Sequence, residues 1–534
     1  MSRASAMAPV VDIPSRALVF IGFMGAGKTT VAGEVAAALG LRALDSDRLL
    51  EDGLGHSVAE EFRARGEASF RAAEEQLVCR LLEQADAGSV IALGGGSVLS
   101  ERVRAALEPH LTVLLDIDAQ AAWRRAGASS GREKRPLASD REAFDKLHAT
   151  RLSLYEGLAD AILPALTTRV GLRALSALSG LSRAPAGTRL LWASAASGDY
   201  PVFVGGGLLR TEVCSQPDVW PLDRTVSRAF CVSDQNVAGL YAERLGGVQE
   251  LIEIAPGERN KTLSSAELVW STLVARGMTR ADHLVALGGG VVGDLAGFCA
   301  ATYQRGIPVV HVPTTLVAQV DSAYGGKTGV DLPQAKNYVG AYHHPAGVIV
   351  DPETLATLPS AELAAGYVEV LKTALIAGGE LWQRVAADEP LDERTILACA
   401  RTKLAVVAED ERDAGRRQVL NLGHTVGHAL ETVTGYERYR HGEAVGLGLL
   451  AALRLSGQEE LRAQVRELLS AHGLPLVLDG EDVEQVIAAT MRDKKRTGAQ
   501  VPFVLLDAPG EVRTGCHVSS SELHAAVSEL QERG

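Results

Sequence analysis

One stretch, GFMGAGKT at residues 22–29, constrains the fold of this chain more than any other. It fits G-x-x-x-x-G-K-[ST], follows an apolar run at residues 17–21, and opens a run with helical spacing at residues 28–39 that stops at Gly40. Glycines let backbone N–H groups curl around a phosphate, and a helix N-terminus adds favourable potential. A strand that leads through such a loop into a helix belongs to a parallel sheet with helices on both faces. The pattern places a nucleotide triphosphate against Gly25, Ala26, Gly27, Lys28, Thr29 and Thr30. Lys28 reaches the β- and γ-phosphates, and Thr29 holds Mg²⁺.

At 534 residues the chain is long enough for two to four domains. Strand–helix alternation, including an apolar run at residues 112–115, fades after Leu166, and RAPAGT at residues 183–188 reads as a linker. A second α/β region has apolar runs at 230–232, 251–254, 284–287 and 348–350. Helical spacing dominates from Pro359 to Lys495, with a late strand at 503–506. These features predict a first domain over 1–175, a linker over 176–187, a second α/β domain over 188–358 and a mainly helical one over 359–534. The net charge of −13 argues against nucleic acid or an acidic membrane as partner. The six cysteines form no C-x-x-C pair, so reduced thiols in a cytoplasm are expected. No apolar run approaches the roughly 18 residues of a membrane span.

Asp45-Ser46-Asp47 follows the next apolar stretch. On a strand end, alternate residues face one side, so both carboxylates are expected at one pocket, one near metal-bound water and one as a base. With GEASFRAAE (66–74), GGG (94–96), RPL (135–137) and RLSLY (151–155), residues 15–165 resemble shikimate kinase. The resemblance implies Asp47 as base and contact to the shikimate hydroxyls, and Asp45 supporting Mg²⁺ through water. It implies that Arg71 and Arg151 hold the carboxylate beside Gly94, Gly95 and Gly96. Arg135 would come from a lid to stabilise the transferred phosphoryl, and Arg125 would lie near adenine. A planar carboxylate favours bidentate arginine, and phosphoryl transfer needs concentrated positive charge.

Farther along, Gly288, Gly290 and Gly293 satisfy G-x-G-x-x-G after an apolar strand. The acidic residue usual about 20 positions later is missing, which leaves Asp234 and Glu258 as ribose partners if NAD binds. NLGHTVGH places His424 and His428 on one helix face, with His441 downstream and Glu369 upstream. Such a His/Glu set suits Zn²⁺ with an open position, and spacing alone makes both His424 and His428 ligands.

SDQNV (233–237), PGERNK (256–261), GGGVVGDLAGF (288–298), VDSAYGGKTGVD (320–331), KNYVG (336–340), EVLK (369–372) and HGEAVGLG (441–448) complete a pattern, over roughly 190–530, that resembles 3-dehydroquinate synthase. The resemblance implies a Rossmann-like NAD domain followed by a helical metal and substrate domain. It implies Glu369, His424 and His441 as ligands of Zn²⁺ or Co²⁺, with His428 beside the substrate. NAD contacts would come from Asp234, Asn236, Glu258, Lys261, Gly289, Gly290, Val291, Asp294, Thr314, Thr315, Lys327 and Lys336. A heptulosonate phosphate would meet Asp321, Lys327, Asn337, Lys372, Lys403, Arg417, Asn421 and His428. Among these, Lys327, Lys372, Arg417 and His428 would act in catalysis, as Lys28, Asp47 and Arg135 would in the kinase. Arg305 would reach a neighbouring subunit's site, which implies a homodimer. The implied reaction oxidises a hydroxyl with NAD⁺, eliminates phosphate, returns the hydride and closes a carbocycle by an aldol step.

Three positions depart from the family pattern: Tyr324 for a small residue, Ala335 for glycine, and Pro502 near a usual phosphate contact. The implied whole is a bifunctional enzyme. An inosose- or valiolone-type cyclase is the alternative for the second half, and another small-molecule kinase for the first.

Overall fold

β1 (Leu18–Ile21) is apolar and buried at every position, as a strand covered on both faces must be. The computed structural model describes residues 13–127, 140–167, 169–210, 219–333, 335–491 and 501–531, which gather into two compact units. The first runs to Ser194 and takes in Asp199–Leu208. The second holds Arg224 onward with two short pieces before it.

In the first unit β1 is joined by β2 (Ala43–Asp45), β3 (Val90–Ala92), β4 (Leu111–Asp116), β5 (Ala161–Pro164), β6 (Arg189–Ala195) and β7 (Gly198–Val204). The order is β2-β3-β1-β4-β5-β6-β7, parallel from β2 to β6. The loops leaving β1, β2 and β3 therefore emerge at one edge, where open α/β sheets bind ligands. Helix Lys28–Ala38 starts directly after Gly27, whose φ of 89° is a left-handed conformation that suits glycine.

Two expectations are corrected here. Asp45 and Asp47 do not alternate on a strand, because the chain turns into helix Ser46–Leu54. Asp45 caps that helix, accepting from Arg48 N at 3.1 Å, and Asp47 lies in its first turn. Nor is 176–187 a linker between units. Leu175–Leu181 is a buried helix, and after Thr188 the chain returns to the same sheet, with Leu190 and Leu191 pairing with Ala161 and Ile162. Buried Asp199 secures the return by accepting from Trp192 Nε1 (3.0 Å) and Ser194 Oγ (2.9 Å) and pairing with Arg173. Pro185 and Gly187 do break a helix, but a breaker does not say which sheet takes the next strand.

The second unit is built on β8 (Ala229–Asp234), β9 (Val248–Ile254), β10 (His283–Gly288) and β11 (Val309–Pro313). A hairpin of β12 (Lys327–Leu332) and β13 (Ala335–Tyr342) follows, then β14 (Gly347–Val350). The sheet order β9-β8-β10-β11-β14 is parallel throughout and reverses direction at β8. The crevice thus opens between the carboxyl ends of β8 and β10, at Asp234 and at the glycines leading into helix Gly290–Thr302. Gly293 lets that helix settle on β11: a methyl there would stand 3.3 Å from His311 Nδ1.

From Ser360 the unit is mainly helical, through Ser360–Ala377, Glu393–Glu409, His424–Val433 and His441–Leu455, with a late pair of strands β15 (Phe503–Ala508) and β16 (Glu511–Cys516). No described helix is long and apolar enough to cross a membrane.

Candidate active sites

In the first unit the Lys28 ammonium donates to the carbonyls of Gly22 (2.9 Å) and Phe23 (3.3 Å), in the loop it is expected to serve. The Thr29 hydroxyl donates to Asp45 Oδ2 at 2.6 Å, so an alcohol and a carboxylate, hard oxygen donors of the kind Mg²⁺ takes, already meet beside the P-loop. Arg125 Nη1 donates to Gly25 O at 3.2 Å.

Gly94–Gly96 form the floor of the neighbouring pocket. A methyl on Gly94 would stand 2.4 Å from Asp47 Oδ1 and 2.8 Å from Glu74 Oε1, and one on Gly96 would stand 2.2 Å from Arg71 Nη1. Only glycine admits those groups so close. Glu74, which the sequence reading passed over, is buried and holds Arg71 at 2.7 Å while accepting from Ser97 Oγ at 2.8 Å. Arg151 is buried too, and its Nε has no hydrogen-bond partner. Tyr155 donates to Gly95 O at 2.5 Å. Burial pushes its pKa up to about 12, and Arg151 and Arg71, both close by, pull the other way. Arg135 lies outside the described residues.

The second unit contains a cavity of about 1490 Å³. Its wall includes Asp234, Asn236, Glu258, Lys261, Gly289, Gly290, Val291, Asp294, Thr314 and Thr315, together with Asp321, Lys336, Asn337, His428 and His441. Residues from β8, β10, β11 and the helical part therefore face one space. A methyl on Gly289 would stand 2.8 Å from Thr315 Cγ2, so a bare backbone is required where the helix begins. Asp234 accepts from Asn236 N at 2.8 Å and caps the next helix. Lys261 is buried among acids, 2.7 Å from Glu258, 3.2 Å from Asp294 and 3.8 Å from Asp331, and donates to Asn337 Oδ1 at 2.9 Å. Burial works against its charge, but those acids prevail and raise its pKa.

His441 lines this cavity, and its ligand atom lies within 4.8 Å of those of Glu369 and His424, which are not part of the wall. Glu369 is fully buried. Its Oε2 sits 2.5 Å from the Lys372 ammonium, and Oε1 faces His424 Nε2 (3.7 Å) and His441 Nε2 (3.3 Å). His424 Nδ1 lies 3.1 Å from the Leu422 carbonyl, which can only accept, so Nδ1 carries the proton and Nε2 keeps a lone pair. Burial, with Lys372 nearby, holds the His424 pKa well below its usual value and keeps the ring neutral. A buried carboxylate, balanced by Lys372 and facing two imidazoles, fits a Zn²⁺-type ion with an open position. The i and i+4 spacing of His424 and His428 suggested otherwise. In the structure His428 groups instead with Glu431 and His441, a second set of ligand atoms close enough together to hold a metal.

Behind the metal trio, Lys372 and Lys403 are buried against Asp321, Lys372 at 3.4 Å and Lys403 closer, with Lys403 Nζ also donating to the Asp321 carbonyl at 2.7 Å. Burial would raise the Asp321 pKa, but the two ammonium groups hold it down. Arg417 is buried and donates to the carbonyls of Glu411 (2.6 Å) and Gly325 (2.9 Å). Asn421 donates to Gln418 O at 3.1 Å. Lys327 pairs with Asp413 at 2.6 Å, and Arg305 is exposed. Neither lines the cavity. Tyr324, unusual for its position, is buried and donates to Gln319 O at 2.6 Å, while Ala335 lies on the cavity wall. Glu431 was missed. It stands in the same HALE stretch as His428, and an acid one turn after a candidate ligand was the available signal.

Residues 24–171 match the shikimate kinase family, and residues 251–365 and 366–496 match the N-terminal and C-terminal families of 3-dehydroquinate synthase. The chain is 42% identical over 356 residues to a 3-dehydroquinate synthase of Symbiobacterium thermophilum, a match covering 62% of this chain and 98% of that protein. It is 40% identical over 358 residues to the one of Caulobacter vibrioides, covering 62% and 95%. Among solved structures, a 2-deoxy-scyllo-inosose synthase complexed with carbaglucose-6-phosphate, NAD⁺ and Co²⁺ superposes with a TM-score of 0.57 at 25% identity, covering 64% of this chain and 99% of that one. A 2-epi-5-epi-valiolone synthase from Streptomyces hygroscopicus subsp. jinggangensis, with NAD⁺ and Zn²⁺ bound, gives 0.56 at 26%, covering 62% and 96%.

Proposed function

The chain belongs to the 3-dehydroquinate synthase family and carries a shikimate kinase unit before it, and on that premise we propose which side chains perform each of its two reactions. It is a bifunctional enzyme of the shikimate pathway. One activity phosphorylates shikimate with ATP, and the other, dependent on NAD and a metal, cyclises 3-deoxy-D-arabino-heptulosonate 7-phosphate to 3-dehydroquinate.

In the kinase we assign ATP to the Gly25–Thr30 loop with Arg125 near the adenine. Lys28 lies along the β- and γ-phosphates, and Thr29 with Asp45 hold Mg²⁺. Asp47 accepts the proton of the attacking hydroxyl, and Arg71 and Arg151 bind the carboxylate over Gly94–Gly96. Arg135 is the cation for the transferred phosphoryl. The contact of Thr29 with Asp45 supports this assignment most directly.

In the synthase, Glu369, His424 and His441 hold Zn²⁺ or Co²⁺, and the wall from Asp234 to Thr315 holds NAD⁺. When bound, NAD⁺ takes up and returns a hydride, and the metal polarises the hydroxyl involved. Lys372, Lys403 and Arg417 neutralise the anionic groups of the substrate, Asp321 and Asn337 orient its hydroxyls, Asn421 contacts it, and His428 moves protons at the cavity wall. The exposed Arg305, held at a φ of 68°, supports an arm that reaches the second subunit of a homodimer. The free cysteines among the described residues suit a reducing cytoplasm. The observation that carries the synthase reading is the buried Glu369 facing two imidazoles beside the cavity.

The test is a paired assay on the full chain. Lys28→Ala should lower shikimate-dependent ADP release by about 10²-fold or more and spare phosphate release from the heptulosonate phosphate, while His424→Ala should do the reverse. Turnover only with a sedoheptulose or glucose phosphate would overturn the synthase assignment.

A further inference from the structure

Glu431 sits on helix His424–Val433 about two turns after His424, buried to 3% exposure. Its Oε1 is 3.4 Å from His441 Nδ1, and Glu369 Oε1 is 3.3 Å from the other nitrogen of that ring. The His441 imidazole is therefore held edge-on between two buried acids on different helices. The same Glu431 oxygen lies 3.2 Å from Lys336 Nζ on β13, and Lys336 is itself steadied by the Tyr436 ring at 4.2 Å and Glu258 at 3.7 Å. Lys336 thereby anchors Glu431 and keeps its negative charge matched.

We propose that Glu431 is the positioning residue of the metal centre: by taking the Nδ1 proton of His441 in a hydrogen bond, it fixes the ring so that the Nε2 lone pair points at the space shared with Glu369 and His424. An imidazole ligand whose far nitrogen is anchored by a carboxylate is a better donor in a set orientation. His441 needs that anchor more than His424 does. His424 is buried with its Nδ1 tied to a carbonyl, whereas His441 is 39% exposed at its side chain. The proposal rests on Glu369, His424 and His441 being the ligands.

The experiment titrates the metal-free full chain with Co²⁺, following its visible absorption. Glu431→Ala should weaken Co²⁺ binding by about 10- to 100-fold, and Glu431→Gln, whose amide oxygen still accepts from Nδ1, should regain most of the loss. The unfolding midpoints of the metal-free variants, read by circular dichroism, report separately the loss of the Glu431 pair with Lys336, so that a fall in Co²⁺ affinity is read against folded protein. Wild-type Co²⁺ affinity in Glu431→Ala would overturn the proposal, as would a loss that Gln does not repair. His424→Ala separates the two ideas. If it binds Co²⁺ as wild type does, the ligand assignment itself fails.

Discussion

Gly94 concentrates the logic of the kinase pocket into one missing methyl. Its nearest neighbours are the carboxylates of Asp47 and Glu74. Gly94→Ala should leave stability nearly unchanged, since the side-chain ends it meets can swing aside, but should displace Asp47 and lower kcat/KM for shikimate about tenfold or more, with phosphate release by the synthase unchanged. Steady-state kinetics on both substrates decide it. Two histidines give a second prediction at this scale. Burial holds His283 and His311 at a pKa of about 4, below the usual 6.5. The fold therefore favours their neutral forms. Their contribution is complete above pH 6.5 and drains away as pH falls toward 4, by roughly 3 kcal/mol each when fully lost. Denaturant midpoints should drop between pH 7.5 and 5, and His311→Gln should flatten the slope. An unchanged slope in that variant would refute the account. The P-loop residues and the metal trio were legible in the sequence because their spacing or resemblance names them. Glu74 and Glu431 were not, since each acts by touching a residue brought near by the fold.

Helices set the metal geometry, and glycines let them come close enough. A methyl on Gly442, next to His441, would stand 1.8 Å from the Ala365 carbonyl on the helix that carries Glu369. One on Gly448 would stand 1.9 Å from the Gly423 carbonyl, next to His424. Both obstacles are backbone and cannot swing away. Gly442→Ala should destabilise the second unit by about 1–3 kcal/mol and weaken Co²⁺ binding, because the helices part at His441. Denaturation and metal titration on one preparation would show both, and normal metal affinity despite lost stability would refute the link. HGEAVGLG displayed these glycines, but their purpose depends on which backbone lies opposite. The DSD motif shows the same limit. Resemblance assigns Asp47 to the pocket, but the capping that makes Asp47 a helix residue is not readable from alternation.

At the scale of the whole chain the assignments proposed above give the two chemistries different ions. Dialysis against a chelator followed by Mg²⁺ alone should restore shikimate phosphorylation and leave phosphate release low until Zn²⁺ or Co²⁺ is added. Recovery of both with Mg²⁺ would contradict the assignment of Glu369, His424 and His441. Strand–helix alternation announced two α/β units and a helical end, and these are present. The border between units was less visible, because β6 and β7 read as the start of something new while their partner strand lies upstream. This has a practical consequence for anyone who would separate the two activities. A fragment trimmed at Gly187 would leave Ala161–Pro164 as a raw sheet margin, open to sticking to its like. The cut that keeps the first unit whole falls after Asp223, even though the extra strands bear none of the residues assigned to phosphoryl transfer.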